Sequence, residues 1–303
     1  LFRLGAVISV PSNAPTFDLQ SHSIHSDGEL APAEVVEAAA AAGVRLLALS
    51  DHDSMAGVAE ALEAATHHDL RVVPAVEISV LDPAAKDLHL LGYLIDLDNA
   101  GLNAQLARSR ADREQRAERI VARLKQLGWS VDDAFLAEHV DAGKTVGRPH
   151  IAQAVFGQPY NAARLAAEGL GDPTAFLVAY LIEGMPGFLE RDAPSIEAAI
   201  ALIHGAGGVA VWAHPFWDIE ADPEVLATLE RFQALGLDGV EAFYVTHTRE
   251  QTELLANRAA ELGLLSTGSA DYHGPGHRQF NRFRAFEAYD LVPNLGPIAT
   301  PQR

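Results

Sequence analysis

The chain has 303 residues, 49% of them hydrophobic, no cysteine, and a formal net charge of −19 from 41 acidic and 22 basic side chains. The absence of cysteine excludes disulfides, thiolate metal sites and cysteine nucleophiles, so any metal must be held by His, Asp, Glu or weaker oxygen donors. A surface this acidic repels polyanions and argues against a duplex nucleic-acid groove, while a small phosphorylated ligand remains compatible where local cations offset its charge inside one cleft.

Residues 1–15 carry a short apolar stretch, 4–10, without a basic run or a clear cleavage site, so no signal peptide is expected. The longest apolar run of interest, 35–49, is broken by Glu37, Gly43 and Arg45, which speaks against a membrane span. These features together fit a cytoplasmic protein with no membrane association and no obligate protein partner.

In chain order, a strand is expected at 16–21. A helix follows at 32–42, with Pro32 in its first turn and Gly43 as its stop. The apolar run 44–50 reads as a buried strand, 56–65 as a helix, and 72–79 and 88–95 as strands. From Gly101 the character changes: Leu102, Leu106, Ile120, Leu124 and Leu127 recur at helical spacings among Arg, Ala, Glu and Gln, and helical patterns continue to about residue 181. The alternation then resumes with helix 195–205, strand 208–213, helix 223–235, strand 239–244, helix 250–262 and strand 264–269. Repeated strand-then-helix units imply an α/β fold with a mostly parallel sheet, open or closed into a barrel. The expected organisation is a discontinuous barrel, 16–96 and 190–290, a helical insertion, 97–189, and terminal extensions 1–15 and 291–303.

Metal-type side chains fall where these strands end. His22 follows the first strand, Asp51, His52 and Asp53 the second, and Glu77 ends the run 72–76. His214 follows the strand 208–213, Asp271 and His273 follow the last, and His89 lies on 88–95. In parallel α/β folds the carboxyl ends of strands converge on one face. A single strand-end Asp is more often a turn or helix cap than a ligand. A whole set of carboxylates and imidazoles at successive strand ends is hard to explain as caps, and it suits two or more divalent cations sharing a bridging carboxylate. His67, His68, His139 and His204 keep structural readings at helix ends or on helices, and His25 is left unassigned.

These residues resemble the PHP (polymerase and histidinol phosphatase) phosphoesterases. Asp18-Leu19-Gln20-Ser21-His22 with Ser26-Asp27-Gly28 resembles the first motif of that family, and Ser50-Asp51-His52-Asp53 the second. Val76-Glu77, Ala213-His214-Pro215 and Ser269-Ala270-Asp271-Tyr272-His273 resemble the rest, all in order. The resemblance implies a distorted (β/α)7 barrel holding two or three divalent ions, Mn2+ foremost and Zn2+ or Fe2+ as alternatives. It implies a first site of His22, Glu77 and Asp271, a second in which Glu77 bridges to His89 and His214, and a third of Asp27, His52 and His273. Asp51 and Asp53 would support these ligands from behind by orienting His52 or its neighbours. Gln20 stands where the family usually has a histidine, and would be a weak ligand at most.

The insertion narrows the resemblance further. Gly147-Arg148-Pro149-His150 and Gly184-Met185-Pro186-Gly187-Phe188 resemble members acting on nucleoside 3′,5′-bisphosphates and short RNA 5′ ends. That likeness implies phosphate contacts from Arg148, His150 and His247, with Asp271 and His247 as catalytic residues. The expected substrate is a small phosphorylated nucleotide or short RNA end. Two other readings compete: histidinol-phosphate phosphatase, and a regulatory PHP domain without catalysis, which only Gln20 favours.

Overall fold

The computed structural model describes residues 15–83, 86–141 and 146–300; most of the N-terminal extension expected at 1–15, and residues 301–303, lie outside them. Seven strands form one sheet in sequence order: β1 (Phe17–Asp18), β2 (Leu46–Leu49), β3 (Arg71–Asp82), β4 (Lys86–Tyr93), β5 (Val209–Trp212), β6 (Gly239–Tyr244) and β7 (Leu265–Ser269). The two edges meet beyond the short β1. Leu19 N donates to Gly268 O (3.2 Å), His22 N to Tyr272 O (2.8 Å), and Ser21 bridges to Tyr272 in parallel, so the sheet is nearly closed into a barrel.

Helices α1 (Pro32–Ala41) and α2 (Val58–Ala65) link the first strands. They bury Val35, Val36, Ala39, Ala61 and Ala65 against Leu47, Leu49 and Val72. Five helices stand between β4 and β5's own unit: α3 (Ala100–Gln126), α4 (Asp133–Asp141), α5 (Arg148–Phe156), α6 (Ala162–Ala167) and α7 (Pro173–Tyr180). The barrel units then resume with α8 (Ile196–Gly205), α9 (Pro215–Asp218), α10 (Asp222–Ala234) and α11 (Arg249–Leu262). Helix α8 turns Ile196, Ala199, Ile200 and Ile203 inward at three- and four-residue spacing, the stripe an amphipathic helix needs to cover a sheet. Among the described residues no helix is long and apolar enough to cross a membrane.

The sheet departs from the parallel expectation at β4, which runs antiparallel to both β3 and β5. Strand β3 continues past the barrel mouth to Asp82, which pairs with Lys86 of β4, and so short a separation in sequence permits antiparallel pairing but no parallel crossover. Two positions change meaning. Glu77 is inside β3 rather than at its end, and His89 reaches the mouth because the early half of β4 lies there. With Glu77 opposite Leu91 and Ser79 opposite His89, all four side chains share one face.

Helix α3 is 27 residues long, roughly 40 Å at 1.5 Å per residue, and it serves two cores. Leu102 and Leu106 are buried in the same core as Ile200 and Ile203 of α8, whereas Ala117, Ile120 and Leu124 are buried with Trp129, Ile151, Val155, Phe176 and Tyr180. Within this second core Trp129 meets Phe176 edge-on at 5.0 Å, and the Arg164 guanidinium lies 4.0 Å over the indole.

Near the mouth, fully buried Tyr93 donates its hydroxyl to Leu19 O at 2.8 Å, tying β4 to the segment that carries Gln20 and His22. Tyr93→Phe strands that carbonyl, and is expected to cost about 1–3 kcal/mol. Urea unfolding of the variant measures it; an unchanged midpoint would show the bond adds nothing.

Candidate metal centre and substrate cleft

Glu77 sits at the middle of the constellation. Its carboxylate is fully buried and meets four imidazoles: His89 Nδ1 at 2.9 Å, His22 Nε2 and His214 Nε2 at 3.2 Å, and His52 Nδ1 at 3.5 Å. Burial alone would raise this carboxyl; the imidazoles, His52 and His89 foremost, hold it well below the usual carboxylate range. Backbone pairing fixes its place, with Glu77 N donating to Asp51 O (3.3 Å) and Asp53 N donating to Glu77 O (2.8 Å).

Three donor groups surround it. His22 Nε2 lies 3.0 Å from Asp271 Oδ1, and His22, Glu77 and Asp271 present ligand atoms within 4.8 Å of one another. His89 Nδ1, His214 Nε2 and Glu77 Oε1 are mutually 2.9–3.4 Å apart. Asp27 approaches His52 Nε2 (3.6 Å), His273 Nε2 (3.4 Å) and His22 Nδ1 (3.5 Å). His52 also shares a 4.8 Å cluster with Glu77 and His89, so its ring faces two groups at once. The residues fit divalent cations. The donors are imidazole nitrogens and carboxylate oxygens, a set that suits Mn, Fe and Zn ions. Burial pushes the His52 imidazole down to about 4, which leaves it neutral and ligand-competent at neutral pH, and its buried Nδ1 has no hydrogen-bond partner.

The supporting carboxylates bond to partners other than His52 itself. Asp51 does not hold His52. Its Oδ1 accepts from Ser23 N (2.7 Å) and Ser26 Oγ (2.6 Å), and its Oδ2 from Ser23 Oγ (2.7 Å), so it clamps the loop that delivers Asp27. Gly28 completes that loop, since a Cβ there would stand 2.3 Å from His22 O. Asp53 reaches the insertion instead, accepting from Arg113 Nη2 (2.6 Å) and Ser79 N (3.1 Å), while its carbonyl accepts from Arg110 (2.7 Å). Asp53, His214 and Asp271 all have positive φ (51°, 29° and 52°). Such conformations cost on the order of 1–3 kcal/mol in non-glycine residues and persist where the surroundings enforce them.

Gln20 is fully buried and donates its amide to Glu77 Oε2 at 2.9 Å, with its Oε1 3.4 Å from Ser269 Oγ. Ser269 Oγ donates to Glu241 Oε1 (2.6 Å), and Glu241 Oε2 accepts from His214 N (2.9 Å). Burial pushes this Glu241 carboxyl up to about 8. Tyr244 donates to Asp271 Oδ2 at 2.7 Å. Sequence reading passed over Glu241 and Tyr244, which lie within or at the end of an otherwise apolar strand; the polar Glu241 in that run was the available signal.

A cleft of roughly 580 Å3 opens over the centre, lined by Asp27, His52, His89 and His273 from the barrel and by Arg113, Arg116, Arg148 and His150 from the insertion. Arg191, just past the insertion, joins them. Asp87 on β4 lies 3.0 Å from Arg191 Nε and 3.8 Å from Arg148 Nη2. Arg116 bonds through Nε to Leu189 O (2.7 Å), while its buried Nη2 has no hydrogen-bond partner. Burial, then the cations Arg148 and Arg191, push Arg116 down to about 10, which still leaves it charged at neutral pH. Of these guanidinium groups, only Arg148 was singled out from sequence. His150 accepts from Gly147 N at the start of α5 (3.0 Å). His247 is not among the side chains lining the cleft. It is buried beside Phe216 and Tyr244, its Nδ1 bonds Ala242 O (3.1 Å), and burial pushes it down to about 4.

Comparison with known proteins agrees with this geometry. A PHP domain model matches residues 18–103. A 5′-3′ exoribonuclease of Haemophilus influenzae is 34% identical over 261 residues, 86% of this chain and 90% of its own length. The chain belongs to the PHP family. Another PHP relative, a 3′,5′-nucleoside bisphosphate phosphatase of Chromobacterium violaceum, is 32% identical over 86% of this chain and 87% of its own. A solved structure from the same organism, described as an amidohydrolase with bound sulfate and no metal, superposes with a TM-score of 0.73 at 31% identity, covering 88% of this chain and 94% of that one.

Because Asp51 braces the Asp27 loop, Asp51→Ala is expected to lower bound metal by about one ion per chain while leaving the fold intact. Elemental analysis beside circular dichroism reads both. Full metal content in the variant would show that the loop holds Asp27 without Asp51.

Proposed function

We propose that this chain hydrolyses the 3′-phosphate of nucleoside 3′,5′-bisphosphates to give the 5′-monophosphate, and that the same cleft takes short RNA 5′ ends. The observation that carries this reading is one cleft lined both by the imidazole and carboxylate groups around Glu77 and by four guanidinium groups, in a chain of net charge −19. A single phosphate needs only one of these features; a substrate with two phosphates uses both. The named relatives, an exoribonuclease and a bisphosphate phosphatase, both act on phosphoric ester bonds, and this chain is read as a hydrolase of the same bond class.

In this reading His22, Glu77 and Asp271 hold one ion, Glu77 with His89 and His214 a second, and Asp27 with His52 and His273 a third, Mn2+ being the foremost candidate. Divalent ions bound there supply charge neutralisation of the phosphoryl oxygens and acidification of water. The chain's own groups do the rest. Arg148 and Arg191 hold the second phosphate, with Arg116 adding charge from behind, and so fix the reacting ester over the centre. In this reading Asp271, tied through one oxygen to His22 and through the other to Tyr244, takes the proton of the attacking water. A histidinol phosphate would bring its amine against this guanidinium wall, which disfavours that substrate.

Phosphate release with Mn2+, compared across adenosine 3′,5′-bisphosphate, AMP, histidinol phosphate and short oligoribonucleotides, tests the reading. The bisphosphate is expected to turn over fastest, and chelation to abolish activity; histidinol phosphate hydrolysed alone would overturn it. Arg148→Lys, which loses the planar fork, is expected to lower kcat/KM on the bisphosphate about tenfold more than on an aryl monophosphate. Equal losses would assign Arg148 to folding. Glu77→Gln is expected to deplete two ions together and drop turnover by a factor on the order of a hundred or more; normal metal content would remove Glu77 from the bridge.

A further inference from the structure

The cleft holds a third chemistry that neither the ions nor the arginines use. Of the three tryptophans, Trp129 and Trp212 are buried, whereas Trp217 is 52% exposed and lines the cleft. An isolated exposed aromatic is ordinary. This one is accompanied. Its ring lies 5.6 Å from Phe280, and His277 lies flat on Phe280 at 5.1 Å and 14°. His277 and Phe280 line the same cleft, and His277 remains partly exposed.

Both rings are fixed to the centre by short backbone paths. Trp217 is three residues beyond His214 in α9, and its N donates to His214 O at 2.8 Å. His277 Nδ1 accepts from Phe280 N at 2.9 Å, and His273 N donates to Phe280 O at 2.8 Å. Buried Phe280 therefore acts as a shim that sets two partly exposed π faces relative to His214 and His273.

We infer that Trp217 and His277 form a nucleobase-stacking subsite, so that the cleft selects a nucleoside rather than any bisphosphorylated sugar. The inference rests on the nucleotide reading above and adds to it the part of the substrate that carries the base. No donor or acceptor is required of the base, so the platform tolerates all four and favours purines by their larger face.

The test compares adenosine 3′,5′-bisphosphate with its base-free analogue, 1,4-anhydroribitol 3,5-bisphosphate, for wild type, Trp217→Ala and Trp217→Phe. Wild type is expected to prefer the adenosine compound by about tenfold in kcat/KM, expressed mainly in KM. Trp217→Ala should erase most of that preference and Trp217→Phe should retain it. Equal turnover of both compounds by wild type, or equal losses in Trp217→Ala, would overturn the platform and leave the bisphosphatase reading standing. A second readout needs no turnover: AMP should quench the exposed Trp217 fluorescence, and ribose 5-phosphate should not. Absence of both activities would sink the functional reading, and this quenching would then decide the platform alone, its absence overturning it.

Discussion

The constraint on which the rest depends is a buried carboxylate with no lysine or arginine paired to it among the described residues. Glu77 is wholly removed from solvent, and the charge it carries is met by four imidazoles and one amide. Burying an ion without strong compensation is costly. Imidazoles compensate only where they take up a proton, as at His22 and His214, where burial opposes protonation but hydrogen bonds to carboxylates favour it, whereas cations shared between imidazoles and carboxylate would compensate without protonation. The barrel is shaped to that end. Strand β3 runs through the mouth, β4 folds back to bring His89 beside it, and β5 and β7 end in turns with positive φ that aim His214 and Asp271 inward.

The acidic surface and the basic cleft follow from a division of labour in α3. One end of this helix is packed in the barrel core and the other in the core of the inserted helices, so its middle is fixed across the mouth. Arg110, Arg113 and Arg116 fall in that middle stretch. The first two spend hydrogen bonds on Asp53, which locks helix to barrel. Arg116 keeps a buried nitrogen without a hydrogen-bond partner and adds its charge to the cleft from behind. Net charge describes the outer surface; the field inside the cleft is set by these few side chains.

Much of the frame was legible in the sequence because strand ends and metal-type residues coincided. The runs 44–50, 239–244 and 264–269 became β2, β6 and β7 within one or two residues, and the helical change at Gly101 became α3. The direction of β4 was not legible, because an apolar run has the same pattern in either direction and only the connection decides pairing. Nor were the partners of Asp51 and Asp53, since adjacency to His52 in sequence carried them onto other strands and helices in space. Arg116 and Arg191 fall in none of the motifs, and Trp217 is separated from His277 and Phe280 by a span that gives no hint of ring contact.

Gln20 shows how one ligand position can be kept within the same fold while changing its chemistry. An imidazole there would offer a lone pair to a cation. The amide instead turns an N–H toward Glu77 Oε2 and leaves its oxygen beside Ser269, whose hydroxyl is already committed to Glu241. An N–H directed at the carboxylate withdraws charge from the oxygen that also faces His22 and His52. That lowers the donor strength of Glu77 toward the group of His22 and Asp271, while Oε1, shared by His89 and His214, is untouched. The two halves of one carboxylate are thus made unequal: Oε2 accepts from the Gln20 amide, whereas Oε1 faces only His89 and His214.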